Sequence, residues 1–256
     1  MSLQFSDTST YKGIVQVGER ELGLDRGTIS GNTAKLKDFT VDVNLAWDDY
    51  LAIALSASGE WQYDDSNHGD YPIIKTNLVD GQRSYIFTTD ENNNLILDIY
   101  KVLILPSATA TLYEEIYPVD QQTKDHAPDI TSETTTEGVP YQYDKTANGI
   151  FLDPIPSYNA TNGLKLFINR EPSYFAYTDT TKKPGCPGIH HEYFAIKAAY
   201  AQARRKGLVV QNTLLAEIRK YEGDEERRLT GKIAEYFGRR NKDVVKVLTP
   251  KLKPYV

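Results

Sequence analysis

Cysteine is almost missing from this sequence: Cys186 stands alone among 256 residues, and methionine appears only once. One thiol cannot form a disulfide framework within the chain, and it leaves no thiolate cluster for zinc or an iron-sulfur centre. Long apolar runs are missing too. No stretch approaches the roughly 20 residues of a membrane span, and Met1 to Thr10 has neither the basic start nor the apolar run of a signal peptide. The expectation is a protein without a membrane partner, folded in a reducing cytoplasm. Basic excess is also absent, with 29 Lys and Arg against 35 Asp and Glu and a formal net charge of -6. A protein that neutralised phosphates over its whole surface would work against that field, so any DNA contact must be local.

Tyrosine is what the chain has in quantity, with 18 residues. Its apolar body and hydroxyl suit sheets and subunit interfaces. At this length the chain holds one elaborated domain or two small ones.

Periodicity divides the chain into four parts. Residues 1–59 read as an N-terminal helical segment. A short, glycine-weakened helix falls over 11–24, and a stronger one over 33–58, where Leu36, Phe39, Val43, Trp47, Tyr50, Leu51 and Ala54 recur at three and four. Over residues 60–180 the period becomes two. Strands are expected at 71–79, 82–88, 95–105, 111–117, 139–143, 150–152 and 164–170, separated by turn residues such as Asp80-Gly81, Asn92-Asn93-Asn94 and Asn148-Gly149. Within this part, residues 121–138 are poor in apolar groups and read as a surface excursion. Residues 181–246 return to helical spacing as an αα-hairpin, one helix from about Ile189 to Gly207 and another from about Val209 to Phe237, with Gly223 as a defect. Residues 247–256 carry Pro250 and Pro254 and read as an extended tail. The fold class is therefore α+β, an antiparallel sheet or sandwich between N-terminal helices and a C-terminal hairpin with an extended arm.

Common catalytic signatures do not occur. There is no G-x-G-x-x-G after a strand, no P-loop and no G-x-S-x-G. His190-His191-Glu192 near Cys186 has good zinc ligands, but H-E-x-x-H needs a second histidine at position 195, which is Ala195. Packing at a helix start is the reading preferred. Asp64 to Asp70 places Gly69 where a calcium loop needs glycine, but Lys75 occupies the closing position, so an Asx-rich turn is expected instead. Glu114 and Glu115 are adjacent on a strand, so they point to opposite faces and cannot flank one glycosidic bond. Neither catalytic residues nor a metal or cofactor site is expected, and the chain reads as non-enzymatic. Arg204-Arg205-Lys206, Arg227-Arg228 and Arg239-Arg240 read first as solvated helix faces, supported by Asp224 and Glu235 four residues before Arg228 and Arg239. Their second reading is a local patch for DNA or an acidic partner.

A more specific signal lies in the order of turns and helix starts. Trp61-Gln62-Tyr63-Asp64-Asp65, then Tyr71-Pro72-Ile73, then Thr76 to Tyr85 (TNLVDGQRSY) form its first half. The second half runs through Tyr117-Pro118-Val119-Asp120, Gly138-Val139-Pro140, Tyr143, Ile150 to Pro156 (IFLDPIP), Arg170-Glu171-Pro172 and Pro187 to Tyr193 (PGIHHEY). This order, over most of residues 11–240, resembles the head-to-tail connector, or neck adaptor, proteins of tailed bacteriophages. The resemblance implies a virion structural protein of the neck, assembled in the host cytoplasm. It implies a homo-oligomeric ring, commonly twelvefold, with the portal protein above, the next neck or tail protein below, and DNA passing transiently and without specificity through the lumen. The β-rich middle is larger than in small all-helical adaptors, which leaves open which neck ring the chain forms.

Under this reading the tail, with Val247, Leu248, Pro250, Leu252, Pro254, Tyr255 and Val256, is the portal-docking arm, because an extended segment adds main-chain hydrogen bonds to a neighbouring sheet edge. The alternatives are another tail component, such as a tail terminator or baseplate protein, and a carbohydrate-binding module that uses the aromatic sheet. An enzyme would need a pocket that gathers distant carboxylates or the histidine pair.

Overall fold

A computed structural model describes residues 2–58, 73–90, 93, 95–119, 136–146, 148–223 and 231–240. The fold is mixed α+β and divides into two compact units, one containing residues 1–5 and 60–188, the other residues 6–59 and 189–256. The helical ends of the sequence thus form a single unit.

In the helical unit, α1 (Ile14–Glu21) is shorter than its apolar pattern suggested. Gly23, at φ +66, lies just past its C-terminal end. Gly18, which weakens α1 by propensity, is needed for packing, because a Cβ there would collide with the Phe39 ring. The longest helix, α2 (Thr33–Ser58), begins where Asn32 Oδ1 accepts the Lys35 N–H at 3.1 Å, a side-chain N-cap. Phe39, Val43, Trp47, Tyr50 and Ala54 are buried along one face, as the three-and-four spacing requires.

That face packs against α3 (His191–Lys206) and α5 (Lys232–Arg240). The Trp47 and Phe194 rings are 4.6 Å apart, and Tyr50 lies 5.4 Å from Phe194 and 6.1 Å from Phe237. Aromatic groups of this size bury large apolar areas between the helices. Gly207 ends α3 at φ +63, in the left-handed conformation of a C-cap. The helix expected from Val209 to Phe237 is two helices, α4 (Gln211–Glu222) and α5. Gly223, at φ +89, stops α4, and Gly231 passes so close to the Tyr221 and Glu222 backbone that a Cβ would not fit. The defect is the end of a helix.

The other unit contains β1 (Ile73–Leu78), β2 (Ser84–Ile86), β3 (Ile96–Ile104), β4 (Glu114–Pro118), β5 (Glu137–Gly138), β6 (Gln142–Thr146), β7 (Gly149–Asp153), β8 (Ile155–Pro156) and β9 (Ala160–Arg170). Seven of them form one sheet in the order β1-β9-β3-β4-β6-β7-β2, and β5 pairs with β8. Every neighbour in the large sheet is antiparallel except β4 and β6, which run parallel. Parallel neighbours cannot be joined by a tight hairpin, so a long connection between Pro118 and Gln142 follows from topology. Most of the excursion expected over 121–138 lies outside the described residues. Its last two residues are β5.

The strand expected at 139–143 sits later, at 142–146. Two residues separate Thr146 from its partner Gly149, and this short hairpin fixes the β6–β7 register. Gly149 also faces β2 so closely that a Cβ would strike the Tyr85 carbonyl. All seven strands send side chains into one core, including Leu78 from β1 and Tyr85 from β2, the two ends of the order. The Val79 N–H donates to the Tyr85 hydroxyl at 3.0 Å, so the sheet curls around that core. Residues near the N-terminus join this unit: Phe5 stacks on Phe175 at 4.7 Å, and its N–H donates to the Lys182 carbonyl at 2.7 Å.

Candidate functional site

Two concave regions among the described residues of the helical unit stand out, and the chemistry of each is set by residues distant in sequence. The first, about 300 Å³, lies between α2 and α4 and includes Asp49, Lys197, Arg219 and Glu222. Here the Tyr193 hydroxyl donates to Glu222 Oε1 at 2.7 Å. Lys197 Nζ reaches the same oxygen at 2.5 Å and lies 3.1 Å from Asp49 Oδ2. Burial, reinforced by the Glu222 charge, pushes the Tyr193 phenol well above its usual value. Burial opposes the Lys197 charge, but Glu222 and Asp49 outweigh it and the ammonium is held more firmly than usual. A phenol and an amine that both retain their protons are poor bases and poor nucleophiles near neutrality. The cluster ties α2, α3 and α4 together by charge-assisted hydrogen bonds.

The second, about 530 Å³ and widely open, is bounded by Ile189, His190, Lys232, Glu235, Tyr236 and Arg239. His190 is 2% exposed, its Nδ1 lies 2.7 Å from the Tyr50 hydroxyl, and Tyr236 meets it edge-on at 5.3 Å. Burial, with the neighbouring His191 and Lys232 charges, lowers its pKa from 6.5 to about 4. The imidazole is therefore neutral at pH 7 and joins α2 to the start of α3.

This gives a pH prediction with a defined sign. An unfolded His190 takes up a proton near pH 6.5, whereas the folded one resists until about 4, so the unfolded chain binds more protons between these values. Stability is complete above pH 6.5 and falls as the pH drops through this window, by about 3 kcal/mol at its lower end. Thermal unfolding followed at pH 7, 5.5 and 4 is expected to show the fall, and His190→Phe is expected to flatten it.

The histidine pair expected at a helix start is there, with His190 and His191 both buried. Among the described residues, no group of three His, Cys, Asp or Glu side chains is arranged to hold a metal. The basic clusters have separate settings. Arg205 makes a two-pronged contact with Asp42, at 2.7 and 2.5 Å, and Gln202 donates to the same carboxylate at 2.9 Å. Asp42 is buried, and the contact, backed by the nearby Asp38 charge, raises the Arg205 pKa despite some desolvation. Arg205 fixes α3 to α2. Arg204 and Lys206 are exposed, and Arg204 lies 6.0 Å from the Tyr200 ring centroid. All three close α3, where cations favour the carbonyl end of a helix. Arg239 pairs with Glu235 as the four-residue spacing suggested, and Arg240 ends α5. Arg227, Arg228 and the expected docking arm, Val247 to Val256, lie outside the described residues.

Exposed apolar groups form the remaining candidate surfaces. On α2, Val41 and Leu45, one turn apart, are 58% and 57% exposed, opposite the buried stripe. In the β unit, Ile86, Leu112, Tyr117 and Tyr141 are each more than 60% exposed. The Tyr117 N–H meets the Tyr141 carbonyl at 3.4 Å, so the last two belong to adjoining backbone segments. Val41 and Leu45 could have been found in the sequence as apolar residues off the buried helical stripe. The charged cluster had no local signal. Among known proteins, no family model matches the chain, and no curated sequence is similar to it.

Proposed function

We propose that the chain is a virion structural protein that assembles into a ring at the neck of a tailed bacteriophage, between the portal and the next neck or tail component, around the DNA passage. The observation that carries this reading is the presence of separate exposed apolar groups on the two units, Val41 and Leu45 on one and Ile86, Leu112, Tyr117 and Tyr141 on the other. A ring subunit needs two different surfaces, because each copy meets its neighbours head to tail. Such contacts bury roughly 800 Å² per partner, with aromatic residues prominent in them. The turn and helix-start order that resembles the neck adaptors supports the same role. Tyr193, Lys197 and His190, held by burial and by their neighbours in forms that suit packing better than proton transfer, fit a subunit without catalysis.

Arg204 and Lys206 are the cations best suited to a phosphate or an acidic partner, since Arg205 and Arg239 are engaged with carboxylates. An acidic chain with few such groups would let DNA slide through a lumen rather than adhere. The test is electron microscopy of the purified protein, alone and mixed with a phage portal protein. Closed rings that seat beneath the portal are expected. Monomers at every concentration, or rings that ignore the portal, would overturn the reading.

A further inference from the structure

We propose that the open edge of β1 receives residues 247–256 of a second copy of this chain. β1 is an end strand, paired only with β9 among the described residues. Its inner face continues the core: Leu78 is fully buried, and Ile74 packs against the same cluster while remaining partly exposed. Its outer face carries the exposed Lys75 and Asn77. An edge with no partner strand among the described residues, beside the partly covered Ile74, is a template for an added strand.

The sequence of residues 247–256, VLTPKLKPYV, has the complementary design. In an extended chain, alternate residues direct N–H and C=O to the same edge. Val247, Thr249, Lys251, Lys253 and Tyr255 make one complete edge. The other lacks an N–H at Pro250 and Pro254, both of which fall on it. Side chains alternate as well, so Leu248, Pro250, Leu252, Pro254 and Val256 share one apolar face. Such a strand pairs along a single edge and buries a single face. It fits at the end of a sheet beside a core, and pairing stops there. Ten residues reach about 33 Å and the six of β1 about 20 Å, at roughly 3.3 Å per residue, so the segment spans the edge.

Among the described residues the sheet ends in β1 and in the three-residue β2, and only β1 is long enough to pair with most of the segment. A strand given by one copy and an edge offered by the next make the contact head-to-tail, the kind that closes rings. The proposal rests on the ring reading for that closure, and it assigns the arm to a neighbouring subunit instead of the portal. It also fixes a salt dependence. Lys75 and Lys165 face each other across β1 and β9. With the apolar face turned to the core, Lys251 and Lys253 join them on the polar side. Screening these like charges favours association, so added salt tightens it.

Sedimentation velocity of the full chain and its variants, with hydrogen exchange at β1, tests this directly. Deleting residues 247–256, or placing proline on the pairing edge with Lys251→Pro, is expected to weaken self-association by roughly tenfold or more, the worth of one or two main-chain hydrogen bonds. Leu252→Pro, on the edge already blunted, is expected to change it less than Lys251→Pro. Lys251→Ala, which keeps the N–H, is expected to associate at least as well as the natural chain. The β1 amides should exchange faster in the dissociated variants, and circular dichroism should show both proline variants folded.

Equal effects of Lys251→Pro and Leu252→Pro, or unchanged β1 exchange after the deletion, would overturn the proposal. So would β1 protection that is independent of concentration, the sign of a strand folded back on its own chain. Rings that persist in the deletion variant would refute the strand exchange alone, whereas a full chain that never associates would refute the ring as well.

Discussion

Replacing Arg170 with alanine is expected to destabilise the β unit by about 3–5 kcal/mol, the usual cost of stranding one member of a buried ion pair. Arg170, at the end of β9, pairs with Asp90, and the two residues are only 6% and 7% exposed. Burial disfavours the guanidinium charge and lowers the Arg170 pKa. Removing the guanidinium leaves the buried Asp90 carboxylate without this ion pair. A lower urea midpoint for the Arg170→Ala protein is the measurement. Replacing both members by apolar residues, Asp90→Leu with Arg170→Met, is expected to recover most of the loss, because no charge then remains to be desolvated. If the single variant is as stable as the natural chain, the pair is not a determinant of this end of the sheet.

Replacing Glu19 with alanine is expected to cost roughly 3 kcal/mol in the helical unit, through the backbone of the α1–α2 connection. Glu19 is 2% exposed. Its Oε1 accepts from the N–H groups of Ile29 and Ser30, both at 2.7 Å, and from the Ser30 hydroxyl at 3.1 Å, while Oε2 accepts from the Gly27 N–H at 3.1 Å. Alanine deprives three main-chain donors of their acceptor at once. Glu19→Gln can retain the contacts at Oε1 but turns an amide N–H₂ towards the Gly27 N–H, so a loss of about 1 kcal/mol is expected. Thermal unfolding of the two variants should therefore rank alanine well below glutamine. Equal losses would show that the connection is held by packing alone.

What could be read from the sequence depended on how local its cause was. The stripe from Phe39 to Ala54 gave α2 its full span, because a strong three-and-four pattern is a local signal. The α+β class followed from the change of period. The split between α4 and α5 was visible only as a glycine, and the positive φ that ends α4 at Gly223 leaves no other mark on the sequence. Two-residue strands such as β5 and β8 are too short to have a period. The polar ties were out of reach for a different reason. Tyr50 and His190 are 140 positions apart, Asp42 and Arg205 are 163, and Asp90 and Arg170 are 80. No spacing rule connects such residues until the fold has brought them together.

The discontinuity of the helical unit bears on how the protein is made. During translation, α1 and α2 leave the ribosome long before α3 and α5, whose Phe194 and Phe237 rings pack on Trp47 and Tyr50. The whole β unit is synthesised in between, and at about 5–20 residues per second this takes roughly 6 to 26 seconds. For that time the Trp47 and Tyr50 part of the α2 face lacks its native partners, so it is a natural target for a holding chaperone. A premature stop after the β unit would release a polypeptide whose first long helix can never be covered. Proteolytic clearance of that fragment is expected even if its sheet has formed.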